Sequence, residues 1–428
     1  MIIRLLWVFL AFFMTISFGC VAKSDFEQFF SSKTLRIDYM LAGNSGVTKA
    51  YVVRLKEEPI WGGSTQNMID TLGLGMFKIE MIEKKSGTLI FSKGFCTLFE
   101  EWQTTEESKT MNRSFQQSNC LPFPIVRVDV MVSKRSKLNQ WIEILKVEID
   151  PESVDINKDK VAQLEVRDII KSGNPNNCVD LVFLAEGYTA DEMKQFYADA
   201  ALFTNKLFEV EPFKINQSKF NVKAIGTISN ESGTDDPNKK IWKNTCFNSS
   251  FNTFHTDRYL ETFDVFNIYN AASLVAYDQI VVLVNTSKYG GGGVYNHFSV
   301  VAAKNSSSKT VFVHEFGHAF GGLGDEYYTS EVAYSDYIDL KTEPWEPNLT
   351  TLVNFELKWK DMVDKSTPVP TPDQQKYESV VGAFEGGGYT AKGVYRPKLD
   401  CRMKSNASPA FCPVCSRAIQ RVIKQLTH

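Results

Sequence analysis

The chain has 428 residues, 43% of them hydrophobic and 13% aromatic, enough apolar material for two full cores; an intrinsically disordered protein is excluded. Its 47 basic and 50 acidic residues give a formal charge of −3 and are spread along the sequence. Neither the basic field of a nucleic-acid-binding protein nor a polybasic membrane patch is present.

Residues 1–20 read as a targeting segment. Arg4 supplies a positive start, and the apolar run 5–19 is too short for a membrane span. Ser17-Phe18-Gly19-Cys20 is similar to a bacterial lipoprotein cleavage box, with Ser17 where an aliphatic residue is usual, which makes Cys20 the expected lipidation site. An ordinary cut after Ala22 is the alternative. Either cut places the mature protein outside the cytoplasm, in the cell envelope or secreted, with a lipid anchor as its only membrane contact.

Residues 24–150 read as strands. Segments 34–41, 50–56, 76–83, 88–95, 124–133 and 141–149 alternate or are rich in β-branched and aromatic residues. Lys84-Lys85-Ser86-Gly87 marks a hairpin. The expectation is a β-sandwich acting as an accessory domain, without a chemical constellation of its own. Polar, turn-rich sequence over 150–175 marks a boundary, so the second domain is expected at 172–428.

Beyond the boundary, strands and helices alternate, giving a mixed α+β or α/β fold. Strands are expected at 178–188, 220–226, 277–285 and 294–303. Thr189 and Glu192 form a capping box opening a helix to about Phe208. The Tyr289–Gly293 glycine run reads as a flexible turn, and 329–375, with its STPVPTP segment at 366–372, as surface loop. The acidic run 230–238 matches no calcium loop and reads as a solvated turn.

The helix expected near 308–320 carries the most informative residues, His314-Glu315-Phe316-Gly317-His318. The chain has five histidines in all, so this HExxH pattern is a poor candidate for coincidence. Residues four apart share one helix face, so the two imidazoles can hold one zinc ion, and Glu315 can act as general base on a water that zinc acidifies. Gly321 and Gly324 then break the helix, and Asp325 or Glu326 can bring a carboxylate back as third ligand. His255 and His297 stay unassigned. After Cys20 seven cysteines remain, an odd number; Cys412-Pro413-Val414-Cys415 lies close to Cys401, and a disulfide from Cys401 to one of that pair is the expectation.

The run HEFGHAFGGLGDEY, 314–327, is similar to the core motif of the IgA-peptidase-like zinc metallopeptidases, family 64 of the metallopeptidases. Segments 181–189, 230–237, 289–293, 385–389, 395–403 and 411–415 resemble that family in the same order, and residues 24–150 resemble its β-rich N-terminal domain. The resemblance implies a metzincin-like catalytic domain and an endopeptidase with one catalytic Zn2+ on His314, His318 and Asp325. It further implies a methionine turn at Met403. Tyr327 and Tyr395 are candidate oxyanion donors, with a structural role at the core edge as the alternative for each. The expected partner is a protein or peptide substrate, with no nucleic acid. A surface binding or adhesion lipoprotein on a peptidase scaffold is the alternative.

Overall fold

The computed structural model describes residues 26–161, 163–328 and 338–427. The expected leader and Cys20 lie outside them. Among the described residues no helix is long and apolar enough to cross a membrane.

A short helix α1 (Phe26–Phe29) leads into a sandwich of two four-stranded sheets. Its strands are β1 (Phe30–Asn44), β2 (Val47–Glu58), β3 (Phe77–Glu83), β4 (Leu89–Phe95), β5 (Arg113–Pro124), β6 (Val128–Arg135), β7 (Trp141–Ile149) and β8 (Ile156–Asn157), with helix α2 (Leu98–Gln103) after β4. One sheet runs β5-β1-β2-β8 and the other β4-β3-β6-β7. In β3 the fully buried Phe77, Ile79 and Met81 alternate with half-buried Lys78, Glu80 and Ile82, the two-residue period of a strand with one face in a core.

Strand β5 escapes sequence reading because its central residues are polar and it contains two prolines. It nonetheless pairs with β1 from Phe30 to Gly43. Its buried polar groups find partners on β1: Ser118 Oγ donates to Asp38 Oδ1 at 2.6 Å, and Tyr39 Oη donates to Asn119 Oδ1 at 2.7 Å.

The second half centres on a six-stranded sheet, β13-β14-β12-β10-β11-β9. It comprises β9 (Glu165–Ile170), β10 (Val179–Glu186), β11 (Phe220–Gly226), β12 (Gln279–Val284), β13 (Gly291–Gly293) and β14 (Ser299–Ala302). The four inner strands are parallel and both edges antiparallel. Helices α3 (Met193–Phe208), α4 (Val265–Ala272) and α5 (Ser308–Gly321) cover it, and a hairpin of β15 (Phe384–Gly387) and β16 (Thr390–Arg396) and a last helix α6 (Pro413–Leu426) follow. Along β10, Leu181 and Phe183 join the core containing α3 and α5, while Val182 and Leu184 join the α4 cluster. Phe183 and Phe203 both pack on Phe312 of α5, at 5.8 and 5.5 Å between centroids. The whole is mixed α+β with several sheets.

Three expectations need correction. The glycine run is not a loose turn: Gly291–Gly293 is strand β13, and at Gly293 it lies so close to α5 that a Cβ would meet the Glu315 carbonyl oxygen at 2.2 Å. The segment 294–303 is strand only from Ser299, because residues 294–298 turn back on themselves, His297 N–H donating to Val294 O at 3.0 Å. The 338–375 stretch is not plain surface loop, since Leu349 and Trp359 are fully buried and Trp359 Nε1 donates to Gly382 O at 2.7 Å.

The sandwich is also more than an accessory. One hydrophobic core runs through both halves. Arg36, buried in β1, donates to Asn270 Oδ1 of α4 at 2.7 Å, and Tyr277 Oη donates to Glu58 Oε2 at 3.0 Å. Cys96 N–H donates to Tyr295 O at 2.9 Å, and Asn296 Nδ2 to Gly94 O at 2.7 Å, which fixes α2 beside the strand that precedes the HExxH helix.

Candidate metal centre

Helix α5 is held by its apolar face. Phe312, Phe316 and Phe320 are buried, and the last two rings stack at 5.2 Å. The opposite face carries His314 and His318, one turn apart with ring centroids 4.8 Å from each other. Gly322, at φ +61°, ends the helix in the left-handed conformation that a residue with a side chain rarely adopts. The chain then doubles back and delivers Asp325 to the histidines.

The two rings are oriented by backbone carbonyls. His314 Nδ1 lies 2.9 Å from Arg402 O, and His318 Nδ1 lies 2.6 Å from Leu323 O. A carbonyl can only accept, so each Nδ1 carries the hydrogen and each Nε2 offers a lone pair inward. Those Nε2 atoms are 3.1 Å apart, and Asp325 Oδ1 is 3.1 and 3.3 Å from them. Asp325 Oδ1 is buried and makes no hydrogen bond, while Oδ2 accepts from the Tyr389 hydroxyl.

Three acceptors facing one another call for a cation between them. Zinc about 2.0 Å from tetrahedral N and O donors would set those donors about 3.3 Å apart, close to the observed edges. The electrostatics agree. Burial by itself would lower the His318 pKa, but the Asp325 carboxylate outweighs it and the pKa rises to about 9. Burial by itself would raise Asp325, but the imidazoles hold it below the ordinary carboxylate range. A metal ion bound between these groups would displace any proton they share.

The other expected residues fall into three groups. Glu315 lines the cleft on the same helix; burial raises its pKa, against the pull of His314 and His318. Met403 is fully buried beneath α5, where a Cβ on Gly317 would meet its sulfur at 2.7 Å. Tyr327 lines the cleft, its ring nearly parallel to His314 at 6.5 Å.

Glu326, the alternative third ligand, points the other way: its Oε1 accepts from Asn348 Nδ2 at 3.0 Å and lies 3.1 Å from Cys415 Sγ. Successive residues of an extended stretch point to opposite sides, so Asp325 and Glu326 cannot both face the histidines. Tyr395 is not in the cleft either; it stands in β16, bridged to Thr350. The tyrosine that reaches the centre is Tyr389, at the β15–β16 turn. His255 is exposed, 4.0 Å from Glu107, and His297 is buried against Phe298 with its pKa pushed down to about 3 by burial. The expected Cys401 disulfide is absent: all seven described cysteines are free, and Cys401 and Cys415 sulfurs are 3.7 Å apart. The acidic run 230–238 is less solvated than expected: Asp236 is buried and pairs with Lys288, and Lys243 N–H donates to Asp235 Oδ1 at 2.6 Å.

The cleft over the histidines is bounded by the glycine run and by parts of the chain that carry no sequence signal. Strand β13 and residues 294–295 form one wall, with its outer edge bridged at Gly291 by Tyr259. Helix α2 of the sandwich contributes Glu100 and Glu101, and the Tyr259 hydroxyl donates to Glu101. Arg258 and Glu346 complete it. Burial pushes the Glu100 pKa up to about 7.

A protein-family model described as Peptidase M64 N-terminus matches residues 25–146, and one described as IgA Peptidase M64 matches residues 167–379 and 373–423. No curated protein matches the chain. The second model spans more than half of the sequence and contains the histidine pair, Asp325 and α6: the chain belongs to the IgA peptidase M64 family, a family of metallopeptidases.

Proposed function

We propose that this protein is an exported, metzincin-like zinc endopeptidase that hydrolyses peptide bonds in extracellular or host proteins. The observation carrying the reading is the convergence of His314 Nε2, His318 Nε2 and Asp325 Oδ1 within 3.3 Å, with both Nδ1 atoms engaged elsewhere. These three residues would hold the ion, which when bound supplies Lewis acidity to an attacking water and a scissile carbonyl.

The chain's own groups do the rest. Glu315, raised in pKa by burial, takes the proton from the attacking water and hands it to the leaving amine. Tyr327, a hydroxyl donor on the cleft wall, is placed to hydrogen-bond an oxyanion. The Tyr389 hydroxyl holds Asp325 through its second oxygen. Met403 packs beneath the helix and takes no part in proton transfer. Because Tyr259 bridges β13 at Gly291, a substrate strand has only the 292–295 wall to follow. Export rests on the leader at 1–20, with Cys20 as the lipid site.

The test is cleavage of a mixed peptide library by zinc-loaded protein beside Glu315→Gln, with zinc content measured in both. Cleavage by the parent and a loss of several orders of magnitude in a metal-replete variant support the reading. Equal inactivity with zinc bound in both rejects it in favour of a binding protein on this scaffold. Palmitate labelling of the parent but not of Cys20→Ser tests the anchor.

A further inference from the structure

We propose a second metal site, a closed zinc site built from Cys401, Cys412, Cys415 and Glu326, which fixes the back of the catalytic centre. It does not depend on the catalytic reading. The four residues come from three separate places: the stretch after the HExxH helix, the stretch before Met403, and the first turn of α6. Their ligand atoms all lie within 4.8 Å of one another. All four side chains are buried, with Glu326 and Cys415 fully so.

The spacing of the sulfurs is that of ligands on one ion. Cys401 and Cys415 Sγ atoms are 3.7 Å apart. A disulfide requires about 2.05 Å, whereas zinc–sulfur bonds of about 2.3 Å in a tetrahedron put the sulfurs about 3.8 Å apart. Cys412 caps the N-terminus of α6 and Cys415 lies in its first turn. Cys401 Sγ accepts from Cys412 N–H at 3.1 Å, and Cys412 Sγ accepts from Cys415 N–H at 3.5 Å, the amide contacts that support a thiolate. The fourth corner is a carboxylate: Glu326 Oε1 is 3.1 Å from Cys415 Sγ, and Oε2 is buried with no hydrogen bond at all. A buried carboxylate with an unpaired oxygen beside three sulfurs is costly unless a cation joins them. With no open corner, such a site serves structure and not turnover.

Its position gives it a purpose. Glu326 is joined to Asp325 by a single peptide bond, and Glu326 N–H donates to Met403 O at 2.8 Å. Cys401 stands two residues before Met403, and Arg402 O between them orients His314. An ion gripping Cys401 and Glu326 therefore locks both the carbonyl that orients one catalytic histidine and the backbone that presents Asp325.

The experiment uses the full-length chain and a His314→Ala/His318→Ala variant, in which the first site is destroyed. Zinc is counted by elemental analysis, thiols are counted after denaturation, and both proteins are reloaded with Co2+ for absorption spectra. The expected result is two zinc ions per parent chain and one per variant chain, with an intense thiolate-to-cobalt charge-transfer band in the near ultraviolet in both proteins. Adding Cys412→Ser to the variant should weaken that band and lower its zinc affinity at least tenfold. The proposal is overturned by a zinc-free histidine variant, by cobalt spectra lacking the thiolate band, by iron in place of zinc, or by a peptide map linking Cys401 to Cys412 or Cys415 through a disulfide.

Discussion

Gly293→Ala isolates the contact between the glycine strand and the catalytic helix. A Cβ at Gly293 would stand 2.2 Å from the Glu315 carbonyl oxygen and 2.9 Å from its carbon. Both are backbone atoms inside a helix, so no side-chain rotation relieves the overlap. Ordinary contact begins near 3.4 Å, so strand and helix must part by roughly 1.2 Å to reach it. Overpacking of this kind costs about 1–3 kcal/mol. A displacement near 1 Å of a catalytic group costs about 100-fold in rate. Glu315 and the metal ligands ride together on that helix and the loop after it, so zinc is retained while the 292–295 wall loses register against them. The expected result is kcat/KM on a cleaved peptide about 100-fold below the parent, Tm lower by several degrees, and one zinc still held at the histidine site. Parent-like activity and Tm would refute the close packing of β13 on α5; lost zinc with an intact fold would refute the separation of metal binding from register.

Asp325→Ala should weaken zinc binding at the histidine site by well over 100-fold, and Tyr389→Phe, which removes the hydroxyl that holds Asp325 Oδ2, by about 10- to 100-fold; competition with a chromogenic chelator measures both, and equal losses would demote Asp325 from ligand to orienting group. The cleft lining holds five carboxylates, Glu100, Glu101, Glu315, Asp325 and Glu346, against one guanidinium, Arg258. Peptides with Lys or Arg beside the scissile bond should therefore be preferred, and Glu346→Gln should lower that preference about three- to tenfold, read as the kcat/KM ratio of matched cationic and neutral peptides. Asp180 is buried beside half-buried Asp278, Asp180 N–H donating to Asp278 Oδ2 at 2.8 Å, and desolvation first, then for Asp180 the charge of its neighbour, raises both pKa values. The folded protein thus keeps protons that an unfolded Asp loses near pH 4; their stabilisation is full below that pH and is lost as pH rises through the folded values. Urea unfolding at pH 5 and pH 8 should show a loss of stability in the parent that Asp180→Asn reduces, and equal losses in the two proteins would refute the assignment.

How much was legible in the sequence follows from how local each signal is. His314, Glu315 and His318 are one helical turn, so their spacing alone puts them on one face. Strands β1 to β4, β6 and β7 declare themselves by alternation, as β3 does with one face in the core, or by β-branched and aromatic content, as β1 does where residues 34–39 are buried on both faces. Strand β5 does not, because Ser118 and Asn119 are buried on partners 80 residues away in β1, and a polar residue satisfied by tertiary contact looks like a loop residue in isolation. Arg258, Tyr389 and the α2 glutamates reach the cleft from irregular segments or from the sandwich, where no period links them to the histidines.

The Asp325–Glu326 pair marks where sequence reasoning stops for a physical reason. Both are acidic, both follow the helix break, and either could close a three-ligand set at that distance from His318. The choice is made by a backbone alternation that begins only after Gly322 has reversed the chain, and by what waits on each side: two lone pairs for Asp325, three sulfurs for Glu326. The same sulfurs look like a disulfide in sequence, because a pattern of cysteines does not say whether they stand 2.0 or 3.7 Å apart. Once the distance is known, the two ambiguities become one. The carboxylate that fails as a ligand to the histidine site has the geometry to complete the sulfur site, and a substitution at Glu326 should therefore disturb zinc at the cysteines directly and at the histidines only through the peptide bond to Asp325.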